Sequence, residues 1–377
     1  MEPTATRTVP FVDLKRQYEP LKPEIFKALE RVFDSCRFIG GEEVKRFEEE
    51  FAAWTGVREV VGCGCATDGL FAVMKVLGLG PGDEVLTTAH TATATAEAVT
   101  LTGARVVFCD TVSGTFNMDP EDAERRITDR TKALIVVHLY GQPADMDRFC
   151  DIARRFGLFL IEDCSQAHGA RYRGRRVGTF GDAAVFSFFP SKPVGGFGDG
   201  GAVAAKDPDL LVRIRMFCNH GRLSKFDHRF EGMNSRLDAI QAAVLRVLLP
   251  HVDQWNAQRR SLAALYTEEL SGIDGLELPE VLDEVEPVWH VYAVRVPDRD
   301  RLRRYLQERG VGTGIHYPLS LNLLPAYGYL GQGRGSFQRA EYNCEHTLSL
   351  PLFPAMTEEE LRYVCKAVRD FFETESC

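Results

Sequence analysis

Apolar residues recur at helical spacing early in the chain. Ile25, Leu29 and Phe33 predict a helix over 24–36, and Val44, Phe47, Phe51 and Trp54 a second over 42–55. Phe38-Ile39-Gly40-Gly41 separates them. The aromatic stripe of the second helix reads as core. Short apolar runs then alternate with helical stretches. Strands are expected at 59–61, 84–87, 104–109, 132–138, 158–161 and 184–189, and helices from about 68 to 77, at 120–127 and at 146–156. Alternation at this spacing predicts a mostly parallel sheet with helices on both faces. Residues 1–24, with four prolines, read as irregular. From 207 the chain turns helical, then polar over 220–236, then helical over 237–249, where Ile240, Val244 and Leu248 share a face. Pro250 punctuates this helix without ending it. A domain boundary is expected near 250–262, dividing a large domain (1–250) from a small α+β one (251–377). The small domain contains a strand at 289–296 and helices at 298–309 and 358–372.

Composition narrows the class. A chain of 377 residues, 45% hydrophobic, can bury a large core. Its net charge of −9 and lack of a basic stripe argue against nucleic acid as a partner. No apolar run approaches the ~20 residues that span a bilayer, and MEPTATRTVPF has no secretory apolar segment. Ten cysteines lie scattered, Cys63 and Cys65 two apart, with no Cys-x-x-Cys pair. Neither a metal site nor disulfides are expected, and a reducing cytoplasm fits.

The candidate chemistry centres on 181–201, GDAAVFSFFPSKPVGGFGDGG. A buried strand ends at Pro190-Ser191, Lys192 follows, and five glycines fall in the eight residues after Pro193. Such a loop lets backbone approach something closely. A lysine held there suits a Schiff base with an aldehyde, although a lone lysine is more often solvated. Upstream, Asp163 closes the strand of GLFLIEDCSQAHGA, at the strand end where open α/β sheets bind ligands. Alone it reads as a helix cap. With Lys192 it suits pyridoxal 5′-phosphate (PLP), whose pyridine nitrogen needs an acidic partner. Ala66, Thr67 and Asp68 open a helix, which makes either an ordinary capped terminus or a phosphate seat.

EDCSQAHGARYRGRRVGTFGDAAVFSFFPSKPVGGFGDGGAV resembles the core of the DegT/DnrJ/StrS family of PLP-dependent sugar aminotransferases. FVDLKRQY, the run NHGR…H…EGMNSRLDAIQAA, and GIHYP…LSLPLFP extend the likeness over nearly the whole chain. The resemblance implies fold type I with a seven-stranded sheet. It implies a homodimer with shared active sites, and PLP on Lys192 with Asp163 at the ring nitrogen. Ala66, Thr67 and Ser187 would meet the phosphate, Gln166 the ring oxygen, and Asn234 the partner's phosphate. His316 and Tyr317 would line the sugar side, unless they only pack. The implied reaction is ping-pong, from an amino acid (L-glutamate by resemblance) through pyridoxamine 5′-phosphate to a nucleotide-linked keto-sugar. Two departures stand out. Relatives often carry a ring-stacking aromatic where this chain has Ala92, leaving His90 as a candidate or as a hydrogen-bonded loop residue. PLSLNLLP places Asn322 and Leu324 at variant positions, which would alter the acceptor if they lie near it. The rival readings are a PLP-dependent sugar dehydratase, opposed by Lys192; a non-catalytic sensor, which would carry a DNA-binding domain this chain has no room for; and a glutamine-dependent cyclitol aminotransferase.

Overall fold

The computed structural model describes residues 7–375. Seven strands make the main sheet: β1 (Val60–Cys63), β2 (Glu84–Thr88), β3 (Arg105–Cys109), β4 (Thr131–Val137), β5 (Phe159–Asp163), β6 (Ala183–Ser187) and β7 (Gly201–Ala205). Their spatial order is β1-β7-β6-β5-β4-β2-β3. β7 runs antiparallel to both neighbours and every other pairing is parallel. The expected mostly parallel seven-stranded sheet is therefore present.

Strand residues alternate between two apolar layers, as a pleat requires. Val85, Ile135, Ile161 and Val185 join Leu70, Val73, Val99 and Ile214 of the helices Ala66–Val76, Thr93–Leu101 and Pro208–Phe217 on one face. On the other face Ala184 and Phe186 meet Phe47, Phe51 and Leu245, while Leu86, Leu134 and Leu160 meet Phe149 and Ile152. Both faces are covered, which explains why the strands read as continuous apolar runs. A separate cluster around Tyr266, Tyr292, Leu302, Leu350 and Val364 packs the antiparallel pair β8 (Tyr292–Arg295) and β9 (Thr347–Leu350) against the helices Val252–Leu270, Arg299–Glu308 and Glu358–Glu375.

Some expectations are corrected. Residues 1–6 of the expected irregular start lie outside the described residues. After them the chain forms the helix Leu14–Tyr18, opened by Asp13 accepting from Arg16 N, and the 3-10 turn Glu19–Leu21. The helix expected at 237–249 spans Ala239–Leu248. Pro250 then sits early in the 3-10 turn Leu249–His251, where it loses no helical hydrogen bond, and Val252–Leu270 continues. The helices Thr93–Leu101 and Gln338–His346 and strand β7 were not expected.

Candidate active site

The pleat decides the first question at the end of β5. Adjacent residues face opposite sides, so Glu162 and Asp163 cannot serve one site. Glu162, fully buried, accepts from Gly178 N, Phe180 N and Gly181 N (2.7 Å each) and from His138 Nε2 (3.1 Å). His138 Nδ1 accepts from Ala144 N, which fixes the neutral tautomer with its proton on Nε2. Although burial opposes it, these bonds hold the Glu162 carboxyl below its ordinary range. Glu162 is a structural anchor of the 178–181 turn.

Asp163 lies on the other side. Its Oδ2 accepts from Thr95 Oγ1 (2.9 Å) and its Oδ1 from Ser165 N (3.1 Å). Both oxygens of the carboxylate thus have a donor, and it remains near Lys192, whose pKa its charge raises. The larger effect on Lys192 is burial, and the ammonium is pushed down to about 8. The Lys192 side chain has no hydrogen-bond or salt-bridge partner among the described residues. Burial also pushes down His168 (to about 3), His316 (to about 4) and His290, with the Lys192 charge the second cause in each case. The imidazoles around the lysine are therefore neutral.

The lysine loop is built for a tight turn. Lys192 N donates to Phe189 O (2.9 Å) and Gly196 N to Phe188 O (2.7 Å). A Cβ on Gly195 would stand 2.2 Å from Pro190 O, so only glycine closes the turn. Tyr18, from the Leu14–Tyr18 helix, donates its hydroxyl to Pro190 O (3.2 Å) and Gly195 O (3.4 Å), one carbonyl on each side of Lys192.

Ala66 and Thr67 open the Ala66–Val76 helix, whose cap is Cys65 rather than Thr67: Asp68 N donates to Cys65 Sγ (3.5 Å). Gly201 passes so near that a Cβ there would lie 2.7 Å from the Cys65 carbonyl carbon and 2.8 Å from Ala66 N. Ser235 Oγ ties the terminus down by accepting from Gly64 N (2.9 Å) and donating to Asp68 Oδ2 (2.7 Å). Ser187, half-buried, ends β6, and its Oγ accepts from Phe189 N (3.3 Å).

Gln166 is buried between Tyr140 N, which donates to its Oε1 (2.7 Å), and Tyr317 Oη, which accepts from its Nε2 (3.1 Å). His316 Nδ1 lies 2.8 Å from Ser349 Oγ, and its ring stacks on Phe11 at 5.5 Å. Asn234 is exposed and its backbone bridges Asn219. His90 stacks on Phe116 (5.8 Å, 26°) and has both ring nitrogens engaged, as the hydrogen-bonded reading expects. Asn322 is buried against Ser320 (2.5 Å) and Glu341 (3.1 Å), and Leu324 packs on the main core. Sequence reasoning did not find Thr95, Tyr140, Ser235 or Tyr18. Tyr18 closes the quoted motif FVDLKRQY and Ser235 lies within EGMNSRLDAIQAA, so these two carried a signal and Thr95 and Tyr140 did not.

These residues fit PLP. An unpartnered amine of lowered pKa faces an anchored carboxylate, and a helix N-terminus lies beside a glycine that admits close approach. The model of the DegT/DnrJ/EryC1/StrS aminotransferase family matches residues 20–369. The pleiotropic regulatory protein of Geobacillus stearothermophilus is 45% identical over 367 residues, covering 97% of this chain and 98% of that protein. The dTDP-3-amino-3,4,6-trideoxy-alpha-D-glucose transaminase of Streptomyces venezuelae is 46% identical over 368 residues, covering 98% and 97%. The crystal structure of S. venezuelae DesV in complex with a ketimine intermediate superposes with a TM-score of 0.95 at 46% identity, covering 98% of this chain and 99% of that one. The structure of ntda from Bacillus subtilis with bound cofactor PMP gives a TM-score of 0.91 at 29% identity, covering 99% and 86%.

Proposed function

Because this chain belongs to the DegT/DnrJ/EryC1/StrS aminotransferase family, we propose that it moves an amino group from L-glutamate to a nucleotide-linked keto-sugar. It is a PLP-dependent aminotransferase, and related structures are solved in PLP and PMP forms. The acceptor class rests on relatives named for dTDP- and UDP-sugars. The observation that carries the reading is the Lys192–Asp163 pair: an amine without a hydrogen-bond partner, lowered to about 8, beside a carboxylate bonded by Thr95 and Ser165.

Lys192 would hold the cofactor's aldehyde carbon and Asp163 its ring nitrogen. The helix terminus at Ala66 and Thr67, with Ser187, would hold the phosphate, and Gln166 the ring oxygen. When bound, the cofactor supplies an electron sink for charge developing at the donor's α-carbon. The chain's own work is proton handling. Lys192 Nζ, lowered to about 8 and so about half in its free-amine form at that pH, would accept the donor's α-proton and give it up again. Asp163, bonded by Thr95 and Ser165, would face the ring nitrogen and favour its protonated form. His316 and Tyr317 line the acceptor side. The same reading includes a cytoplasmic homodimer in which Asn234 serves the partner's phosphate, and a division into 1–250 and 251–377. The separate apolar cluster around Tyr266 and Tyr292 supports a second packing unit, which Val9 also joins, while Leu321, Tyr327 and Phe337 pack on the main core.

The holoenzyme should be assayed with glutamate or glutamine against nucleotide-linked 3-keto and 4-keto sugars and against a keto-cyclitol. Turnover with glutamate and one of these sugars is expected. Turnover confined to glutamine and a keto-cyclitol would overturn the acceptor class.

A further inference from the structure

His90 follows β2 in a buried turn. Its Nδ1 lies 3.0 Å from Cys344 Sγ and its Nε2 2.8 Å from Tyr140 Oη. The far end of this chain sets its direction. Tyr140 Oη donates its one proton to the His316 carbonyl, an oxygen that can only accept. Tyr140 Oη must therefore accept from His90. The imidazole proton sits on Nε2, and Nδ1 accepts from the Cys344 thiol. Burial, with the Arg295 charge second, holds His90 down at about 3, so the ring is neutral and keeps this tautomer.

A second set of bonds closes on the first. Tyr140 N donates to Gln166 Oε1, which fixes the amide orientation, and Gln166 Nε2 donates to Tyr317 Oη. Tyr317 follows His316, whose carbonyl holds the Tyr140 hydroxyl. Tyr140, Gln166 and the 316–317 segment thus form a closed ring of hydrogen bonds. Tyr140 sits in it with a left-handed backbone (φ 58°), and Phe116 packs on both His90 (5.8 Å) and Tyr140 (4.9 Å).

We propose that His90 is a positioning residue: its Nε2–H aims the Tyr140 hydroxyl at the His316 carbonyl and so holds Gln166 and Tyr317 in the orientation they present to the cofactor. The inference rests on the reading of Gln166 as a cofactor contact. Its effect is transmitted rather than direct, because the His90 ring is buried and both its nitrogens are committed.

The test is a pH titration of the visible absorbance of the PLP-loaded enzyme, for the parent chain and for His90→Leu, His90→Gln, Tyr140→Phe and Gln166→Ala, with thermal unfolding followed in parallel. The midpoint should move in one common direction in His90→Leu, Tyr140→Phe and Gln166→Ala, by at least about half a pH unit. The double variant His90→Leu/Tyr140→Phe should shift no further than either single one. His90→Gln, whose amide N–H replaces Nε2–H, should return the midpoint toward that of the parent. A purely structural role would lower the unfolding temperature and leave the titration unmoved, and that result overturns the inference if Gln166→Ala does move it. If Gln166→Ala also leaves it unmoved, the reading of Gln166 as a cofactor contact falls first, and the inference falls with it. Should His90→Leu fail to fold, Tyr140→Phe and His90→Gln decide the matter by the same criterion.

Discussion

Glu162 and Asp163 are neighbours in the chain and work on opposite faces of strand β5. Glu162 Oε1 and Oε2 close on the 178–181 turn, and Asp163 Oδ2 closes on Thr95. One carboxylate builds the wall behind the lysine strand β6, and the other stays beside Lys192.

Their amides should therefore fail differently. Glu162→Gln keeps one acceptor oxygen but turns the other into an NH2 donor that must face either Gly178 N–H and His138 Nε2–H or, flipped, Phe180 and Gly181 N–H, and should cost about 3 kcal/mol of stability. Because the Glu162 pKa is depressed, its contribution is present above the ordinary carboxylate pKa and is lost as pH falls through the lowered value. Urea unfolding should show this loss, with holoenzyme turnover per folded molecule largely kept. Asp163→Asn should unfold like the parent yet slow the donor half-reaction about 100-fold, because a neutral amide cannot hold the ring nitrogen protonated. A half-reaction at the parent rate in Asp163→Asn would remove Asp163 from the chemistry.

Lys192 carries a pH signature. Its pKa is about 8 in the folded chain against an ordinary 10.5. Between these values the unfolded chain binds more protons, so the stability of the cofactor-free protein should rise with pH over that window and level off below about 8. In Lys192→Ala this slope should vanish. The rate at which cofactor-free chain captures PLP should climb with pH around the same value, and borohydride should fix the cofactor on this lysine. A pyridoxyl adduct on any other lysine would contradict the assignment.

Gly201 tests the phosphate seat without touching a polar group. In Gly201→Ala the new methyl meets Cys65 and Ala66 backbone inside 3 Å, so the helix terminus must shift. PLP should bind about 10-fold more weakly. Equilibrium dialysis giving an unchanged affinity would show that the phosphate sits elsewhere.

The parts of this architecture that were legible in the sequence are those governed by local burial and punctuation. The helix Glu42–Thr55 has its expected bounds because glycines flank it, Gly41 before and Gly56 after in the left-handed region. Met146–Phe156 is likewise bounded by the Asp145 cap and Gly157. β4 and β5 were legible because both faces are buried. Thr93–Leu101 was not: its run of threonine and alanine has only a weak apolar face, and packing on the sheet decides its form. β7 hides in the glycine-rich stretch because its small residues are buried between two partners. At the candidate site, residue type and position pointed to Lys192 and Asp163, which the fold brings near each other. Thr95 and Tyr140 were not, since their roles arise from contacts between distant segments.

The last prediction concerns Asn234. Ser235, the next residue, bonds Gly64 and Asp68 of its own chain, so segment 233–236 already abuts that chain's helix terminus. Asn234 itself is exposed, as are Leu223 (61%) and Phe226 (86%) of the same 220–236 segment. The crossing arrangement and a contact within the chain predict different outcomes when inactive variants are mixed. Lys192→Ala removes the amine, and Asn234→Asp sets a negative charge against the phosphate and weakens cofactor binding. If Asn234 serves the partner, a mixed dimer places both lesions in one site and leaves the other intact. Random exchange should then restore activity approaching about one quarter of the parent's sites. If Asn234 serves its own chain, each site in the mixed dimer carries one lesion and the mixture stays inactive. Native mass spectrometry of the mixture establishes that mixed dimers have formed, and an inactive mixture that contains them would rule out the crossing arrangement.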